Sequence, residues 1–236
     1  MHYYYPFYYD STYILIVIGF IISMAASAHV KSVFNRYARV GSQLRLTGAQ
    51  VAERMLAANG VAGVRVQPVR GSLTDNYNPM NKTVNLSESV YASTSIAALG
   101  VAAHECGHAM QHNVGYIPLS LRSAILPVAN FGSRLGIPVC IVGMLIGGAG
   151  STIVKIGILL FVFAVLFQLV TLPVEFNASR RALTWLEEGG ILTPEELKGT
   201  RAVLMAAAMT YVAAASASIL QLLRLVLIFG GGRRRD

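Results

Sequence analysis

Four stretches of this chain are long enough and apolar enough to cross a lipid bilayer, and they restrict its fold more than any other feature. They are residues 11–30, 135–154, 156–174 and 202–223, and none contains Lys, Arg, Asp or Glu. A membrane-spanning helix needs roughly 20 mostly apolar residues, because each residue adds about 1.5 Å. Charged residues make up 13% of the chain, about half the share of an average soluble domain. We therefore expect a mainly α-helical protein embedded in a membrane by about three to four helices.

The first apolar stretch is predicted to be an N-terminal transmembrane anchor, residues 1–30. A cleaved signal peptide begins with positive charge, whereas these residues contain no Lys or Arg. Lys31, Arg36 and Arg39 follow at once, so the positive-inside rule places the N-terminus outside and residues 31–134 in the cytoplasm. Residues 135–174 then form a transmembrane hairpin. Aromatic residues suited to the membrane–water interface precede the anchor: Tyr3, Tyr4, Tyr5, Phe7, Tyr8, Tyr9 and Tyr13.

The fourth apolar stretch gives the weakest signal, since it begins with mostly Ala, Ser and Thr. As a span it would put Arg224 into the membrane, where a charge costs about 3 kcal/mol or more, and Arg233, Arg234 and Arg235 outside. We therefore favour a helix near 201–221 packed against the cytoplasmic region, with a basic tail at the inner membrane surface. A true fourth span is the alternative.

Residues 31–134 are the only part of the chain with ordinary globular composition. Residues 49–59 have helical apolar spacing and end in Asn59-Gly60, a common helix stop. Apolar and polar residues alternate in 64–69 and in 82–87, which predicts two short strands, the second one exposed. The turn-rich segment 73–80 lies between them. Residues 93–113 are rich in Ala and contain no Pro, so they predict a helix.

That last helix carries the chemical signal, the sequence His104-Glu105-Cys106-Gly107-His108. Residues four apart share one face of a helix, so both imidazoles can bind one metal ion. H-E-x-x-H on a helix is typical of a zinc site, and we expect one Zn²⁺ per chain. Glu105 is the expected general base, because it can take a proton from water as that water attacks a carbonyl.

A catalytic zinc has three protein ligands, and few residues can supply the third. The chain has 11 carboxylates, of which Glu53, Asp75 and Glu175 are the candidates. Glu175 is favoured because it lies on the cytoplasmic side, directly after an apolar stretch, where a carboxylate usually has a function. The alternative is a juxtamembrane charge paired with Arg180 or Arg181.

Three further residues could be mistaken for ligands or nucleophiles. His112 does not fit the spacing of a longer zinc motif and is expected to face solvent or lie behind a ligand. Cys106 points off the face shared by the two histidines and is interpreted as structural. Cys140 lies in an apolar stretch and has no visible role.

Residues 73–91 and 95–112, together with 172–183 and 206–225, resemble the bacterial YugP-like neutral zinc metallopeptidases. The resemblance covers nearly the whole chain and implies a membrane-bound zinc peptidase in a bacterial cell membrane. More distantly, the chain is similar to the HtpX-like membrane proteases, whose third ligand is the Glu of an E-x-x-A-D pattern. Glu175 and Ala178 match that pattern, and Ser179 stands where it has Asp.

Substrate contacts are predicted from general physical arguments. Metal proteases usually bind an extended substrate along an exposed strand edge, and the candidate edge is Thr83, Val84, Asn85 and Leu86. Tyr77 and Tyr211 are candidate oxyanion donors. With Asn177 and Ser179, they are also candidates for positions behind the metal ligands.

The sequence therefore predicts a membrane-anchored, zincin-like endopeptidase that cleaves polypeptides at the cytoplasmic membrane face. Its expected parts are the anchor 1–30, the catalytic region 31–134, the hairpin 135–174, and 175–236 with the third ligand, an apolar helix and the basic tail. A scaffold with a structural zinc and an intramembrane-cleaving protease are the alternatives. Partners are a polypeptide substrate, the bilayer and an oligomeric or accessory partner; nucleic acid is disfavoured, because the basic residues flank apolar stretches.

Overall fold

The computed structural model describes residues 11–230, and these are mostly helical with one small sheet. The helices are α1 (Tyr13–Tyr37), α2 (Gly48–Ala58), α3 (Glu88–Tyr91), α4 (Ile96–Asn113), α5 (Ile117–Gly147), α6 (Thr152–Glu188) and α7 (Pro194–Gly230). The strands are β1 (Arg65–Val69), β2 (Asn76–Asn78) and β3 (Thr83–Ser87). The expected fold class, mainly α with a small strand element beside the H-E-x-x-H helix, is confirmed.

The described residues form two compact units. One contains 11–25, 125–168 and 213–230, and the other contains 26–124 and 169–212. The second unit has the larger core, in which α2, α4 and the sheet pack with parts of α6 and α7. The four-part division of the chain predicted from the sequence uses other boundaries and stays a prediction.

Four helices in the described residues are long and apolar enough to cross a membrane, namely α1, α5, α6 and α7. Many of their large apolar side chains are exposed, as in Phe20 (65%) and Leu145 (81%). Apolar surface of this extent would be a liability in water, and lipid is the medium that suits it. The aromatic residues before Tyr13 and the basic tail lie outside the described residues.

The favoured interpretation of the fourth apolar stretch was wrong about where its helix ends. Instead of ending near residue 221, α7 continues through Arg224 to Gly230. No Gly or Pro interrupts residues 200–229, so nothing in the sequence breaks the helix. The guanidinium of Arg224 lies 4.4 Å from the centre of the Tyr13 ring, and such a cation–π contact favours the charge in an apolar setting.

Close helix contacts in the first unit depend on glycines. A Cβ on Gly132 would collide with the carbonyl oxygen of Leu160, and one on Gly143 would lie 2.7 Å from the nitrogen of Val154. Small residues let membrane helices approach closely. The glycines of the second apolar stretch are therefore what allows α5 to pack tightly against α6.

The sheet corrects the predicted substrate strand. The strand order is β1-β3-β2, with β1 parallel and β2 antiparallel to β3. Thr83, Val84, Asn85 and Leu86 therefore lie in the middle strand, and all of β3 is buried. Thr83, Val84 and Asn85 cannot offer a free edge, because β1 and β2 pair with them on both sides, and Leu86 is paired with β1. The turn-rich segment supplies an unpredicted edge strand, β2, which pairs Tyr77 opposite Val84.

Helix α4 begins at an N-cap, Ser95, whose hydroxyl accepts the N–H of Ala98. Two glycines let it approach its neighbours. A Cβ on Gly107 would lie 2.6 Å from the carbonyl oxygen of Ala178 on α6, and one on Gly100 would lie 2.6 Å from Cγ2 of Thr200 on α7. These contacts fix the position of α4 relative to both helices.

Candidate metal centre

Helices α4 and α6 bring three metal-binding side chains together. The Nε2 atom of His104 lies 3.2 Å from Oε2 of Glu175, and Nε2 of His108 lies 3.5 Å from the same oxygen. One ligand atom from each residue falls within 4.8 Å of the others. Both imidazoles lie on one face of α4, as the four-residue spacing predicts.

Each imidazole is held from behind by a neutral side chain. The Nδ1 of His104 lies 3.0 Å from Oγ of Ser179, and Nδ1 of His108 lies 3.0 Å from Oε1 of Gln111. The amide oxygen of Gln111 can only accept, so Nδ1 of His108 donates to it. The lone pair of Nε2 is then free to face Glu175, the tautomer that binding a metal through Nε2 requires.

Gln111 extends this support into α6. Its side chain is fully buried, and its Nε2 donates to the carbonyl oxygen of Val174 (2.8 Å) and to Oδ1 of Asn177 (3.0 Å). Nε of Arg181 donates to the same Asn177 oxygen at 2.8 Å. Of the two α6 residues predicted to lie behind the ligands, Ser179 contacts a histidine directly and Asn177 contacts one through Gln111.

Glu105 lies beside the two histidines and is nearly buried, with 8% exposure. Its Oε2 accepts the backbone N–H of Tyr77 at 2.9 Å. Burial raises the pKa of Glu105, although the nearby His104 and His108 oppose that shift. The N–H from β2 therefore holds the candidate base in place, and the apolar surroundings favour its accepting a proton.

A cavity of about 150 Å³ opens beside these residues and is lined in part by His104, Glu105, Glu175 and Tyr211. Of the two predicted oxyanion donors, Tyr211 thus faces the cavity. The Tyr77 hydroxyl instead lies 2.9 Å from Nδ1 of His112. His112 is exposed and is not among the metal-binding group.

The other predicted candidates do not belong to the metal-binding group. Asp75 lines the cavity, but its carboxylate accepts the N–H and the hydroxyl of Ser87 at 2.7 and 2.9 Å. Glu53 is exposed on α2. Cys106 is fully buried, its Sγ lies 3.5 Å from the carbonyl oxygen of Ala52, and burial raises the pKa of its thiol well above the usual range. Cys106 therefore behaves as a packing residue.

Sequence reasoning missed Arg122 and Gln111. Arg122, near the start of α5, places its Nη1 3.6 Å from Oε1 of Glu175. The only sequence signal for Arg122 is an isolated charge shortly before an apolar stretch, and Gln111 gives none beyond lying three residues after His108. Arg122 contacts the Glu175 oxygen opposite the one that faces the histidines.

The donor set fits zinc. Two imidazole nitrogens and one carboxylate form a known catalytic zinc arrangement, and the hydrogen bonds between the Nδ1 atoms and Ser179 and Gln111 orient the rings as metal ligands require. A buried carboxylate and two histidines sharing one oxygen would otherwise be a costly group in an apolar core.

These features, a His₂Glu donor set with a second buried glutamate beside it in a protein with four apolar helices, are those of membrane-embedded zinc metallopeptidases. The chain belongs to the family described as "Putative neutral zinc metallopeptidase", whose family model matches residues 12–230. The predicted family, the zinc cofactor and the membrane setting are confirmed.

A curated relative agrees with this. The chain is 48% identical over 212 residues to "Putative membrane protease YugP" of Bacillus subtilis (strain 168), a match that covers 90% of this chain and 93% of the relative. No solved structure matches the chain.

Proposed function

We propose that this protein is a membrane-embedded endopeptidase in which His104, His108 and Glu175 hold the zinc ion and Glu105 is the general base. The observation that supports the proposal best is the convergence of three ligand atoms within 4.8 Å of one another. Glu105 lines the cavity that His104 and Glu175 also line. Zinc, when bound, supplies Lewis-acid polarisation of the scissile carbonyl and lowers the pKa of water.

The residues of the chain then have separate roles. Glu105 takes the proton from the attacking water and delivers it to the leaving amine. The N–H of Tyr77 keeps the Glu105 carboxylate beside the cavity. Tyr211, which lines the cavity, is the candidate donor to the oxyanion, since its hydroxyl can stabilise negative charge that develops on the carbonyl oxygen.

The two alternatives have less support. A structural zinc would need a fourth protein ligand, whereas the metal-binding group found among residues 11–230 has three members. An intramembrane protease would need α4 to span the bilayer. Helix α4 has 18 residues, about 27 Å at 1.5 Å per residue, and much of it packs in the core with α2 and the sheet.

We place the site at the cytoplasmic face of the membrane. If all four helices span, 38–116 and the link between α6 and α7 share one side, and the start of α1, the link between α5 and α6 and the end of α7 share the other. Most of the 19 Lys and Arg residues lie in or next to the segments on the first side. The positive-inside rule then makes that side cytoplasmic.

The mechanism is tested with Glu105→Gln. Because Gln cannot accept the proton, we expect casein hydrolysis by the purified zinc-loaded protein to fall by about 10²–10⁴-fold, while metal analysis still finds one zinc per chain. Glu53→Gln, an exposed carboxylate on α2, is the matched control and should keep full activity. Undiminished hydrolysis by Glu105→Gln would refute the mechanism, and a wild-type protein that binds zinc without turnover would favour the scaffold.

A further inference from the structure

A second cavity, larger than the one at the metal centre, lies between α6 and α7. Its volume is about 490 Å³, against about 150 Å³ for the cavity at the metal centre. Ser179, Leu204 and Ala208 line both cavities. The two spaces are therefore neighbours that share a wall, and Ser179 of that wall contacts a metal ligand, His104. We call the larger cavity the α6–α7 groove.

The groove runs past the metal centre and extends beyond it along both helices. On α6 its lining runs from Pro173, two residues before Glu175, to Glu187, about 21 Å at 1.5 Å per residue. On α7 it runs from Ala208 back to Arg201. Apolar side chains such as Phe176, Leu183 and Leu204 form much of its wall. Arg180 lies next to Ser179, and Glu187 and Arg201 lie at the end farther from the metal centre.

Resting on the proposed function, we propose that the α6–α7 groove binds the substrate polypeptide next to the scissile bond and selects a large apolar residue there. The cavity at the metal centre has room for little more than the reacting peptide group of the substrate. A volume of about 490 Å³ lies in the usual range of ligand-binding pockets, about 300–1,000 Å³. It can hold a large side chain together with part of its neighbour.

A peptide suits the groove better than a lipid chain does. An acyl chain gains nothing from Arg201 and Glu187 at the outer end, whereas a polypeptide carries polar backbone groups that can use both charges. Leu204 and Ala208, which are buried, offer an apolar surface close to the metal. The groove therefore offers both an apolar surface and charged groups, which suits an apolar residue within a polar polypeptide.

The test uses Met205, which lines the groove but not the cavity at the metal centre and is 50% exposed. Met205→Trp narrows the groove from its open side, where a larger side chain should not disturb the core. Met209→Trp, one turn further along α7, is the matched control, because Met209 is 39% exposed and lines neither cavity. Met205→Ala widens the groove and serves as the opposite change.

The substrates are fluorogenic peptides with one cleavage site that differ only in the residue on either side of it, Ala against Leu or Phe. We expect the wild type to prefer the large apolar residue on one side by about 10–200-fold in kcat/KM, the range set by small changes of fit in an apolar pocket. Met205→Trp should remove most of that preference without changing the zinc content. Met205→Ala should shift the preference toward Phe, and Met209→Trp should resemble the wild type.

Binding separates this proposal from the proposed function. The same peptides are titrated into zinc-loaded Glu105→Gln protein, alone and combined with Met205→Trp. If peptides with the large apolar residue bind more tightly and Met205→Trp removes that difference in Kd, the groove proposal is supported even if no peptide is hydrolysed. Absence of hydrolysis by the wild type would count against the proposed endopeptidase activity alone. Equal binding of all peptides, or an equal loss for all of them in Met205→Trp, would overturn the groove proposal.

Discussion

At the scale of single residues, the metal centre is distinctive in holding its histidines with neutral partners. Metal-binding histidines commonly donate their second N–H to a carboxylate, a backbone carbonyl or water. Here Ser179 and Gln111 contact the Nδ1 atoms, while Glu105 and Glu175 already place two carboxylates at the site. A neutral partner orients the ring without adding a further negative charge at the site, so it should raise the basicity of the ligand less than a carboxylate would.

Ser179 provides a direct test of that support. In Ser179→Ala the His104 ring loses its hydrogen bond, and we expect the zinc affinity to fall by about 10-fold or more, as for other residues behind metal ligands. Ser179→Asp should bind zinc at least as tightly as the wild type, because a carboxylate strengthens the ligand. Competition with a chromophoric chelator measures both dissociation constants.

Ser133→Ala is the control for that experiment. Ser133 is exposed and its hydroxyl donates to the carbonyl oxygen of Asn130, in the same helix, so its removal should leave zinc binding unchanged. An unchanged affinity in Ser179→Ala would mean that the contact with His104 does not position the ring.

At the scale of elements, the centre depends on how closely α4 approaches α6. His104 and His108 come from one helix and Glu175 from the other, and Gly107 lies between the two histidines at the point of closest approach. Its hydrogen is all that fits there, since a Cβ would lie 2.6 Å from a backbone oxygen of α6. The motif leaves the position of Gly107 open, and the packing of α4 against α6 is what requires Gly there.

Gly107→Ala should push the two helices apart. Overpacking of this kind costs about 1–3 kcal/mol, and here it also lengthens the distance from the histidines to Glu175. We expect a lower melting temperature in detergent and weaker zinc binding, measured on the same preparation. Gly150→Ala is the control, because a Cβ there meets nothing within 4 Å. If Gly107→Ala kept both properties, the close contact would not be what sets the ligand geometry.

The elements also show how far the sequence could predict this structure. The α4 helix and the pairing of His104 with His108 follow from spacing alone, and Glu175 follows from the scarcity of carboxylates. Gln111 and Arg122 could not be found in this way, because their roles arise only when α4, α5 and α6 meet. The strand β3 itself was predicted, but its expected free edge was wrong, because β2 covers it. That strand has three residues and lies inside a turn-rich segment that no periodicity marks.

At the scale of the whole molecule, α6 contains both an apolar stretch long enough to span a membrane and the candidate zinc ligand Glu175. Its most apolar stretch, residues 156–174, leads without interruption into Glu175. A ligand fixed at that position lies where an apolar span ends, so the zinc centre should act near the membrane surface. Substrates that present an apolar segment close to the bilayer would suit both this position and the α6–α7 groove.

The side of the membrane on which that surface lies can be measured with single thiols. The two cysteines, Cys106 and Cys140, are buried and free, so replacing both with Ala gives a background without thiols. Met80→Cys then reports on the segment between β2 and β3, where Met80 is 89% exposed, and Gly150→Cys reports on the link between α5 and α6. The first segment belongs to residues 38–116, which include Arg39, Arg45, Arg54, Arg65 and Arg70, whereas the second, residues 148–151, carries no charge.

Because basic loops stay in the cytoplasm, we expect a membrane-impermeant maleimide to label Gly150→Cys in intact bacterial cells and to label Met80→Cys only after the membrane is permeabilised. Both variants should react fully in detergent, which controls for thiol exposure. The reverse pattern would place the zinc centre outside the cell. Labelling of both sites in intact cells would mean that α5 does not cross the membrane, in conflict with the four-helix arrangement.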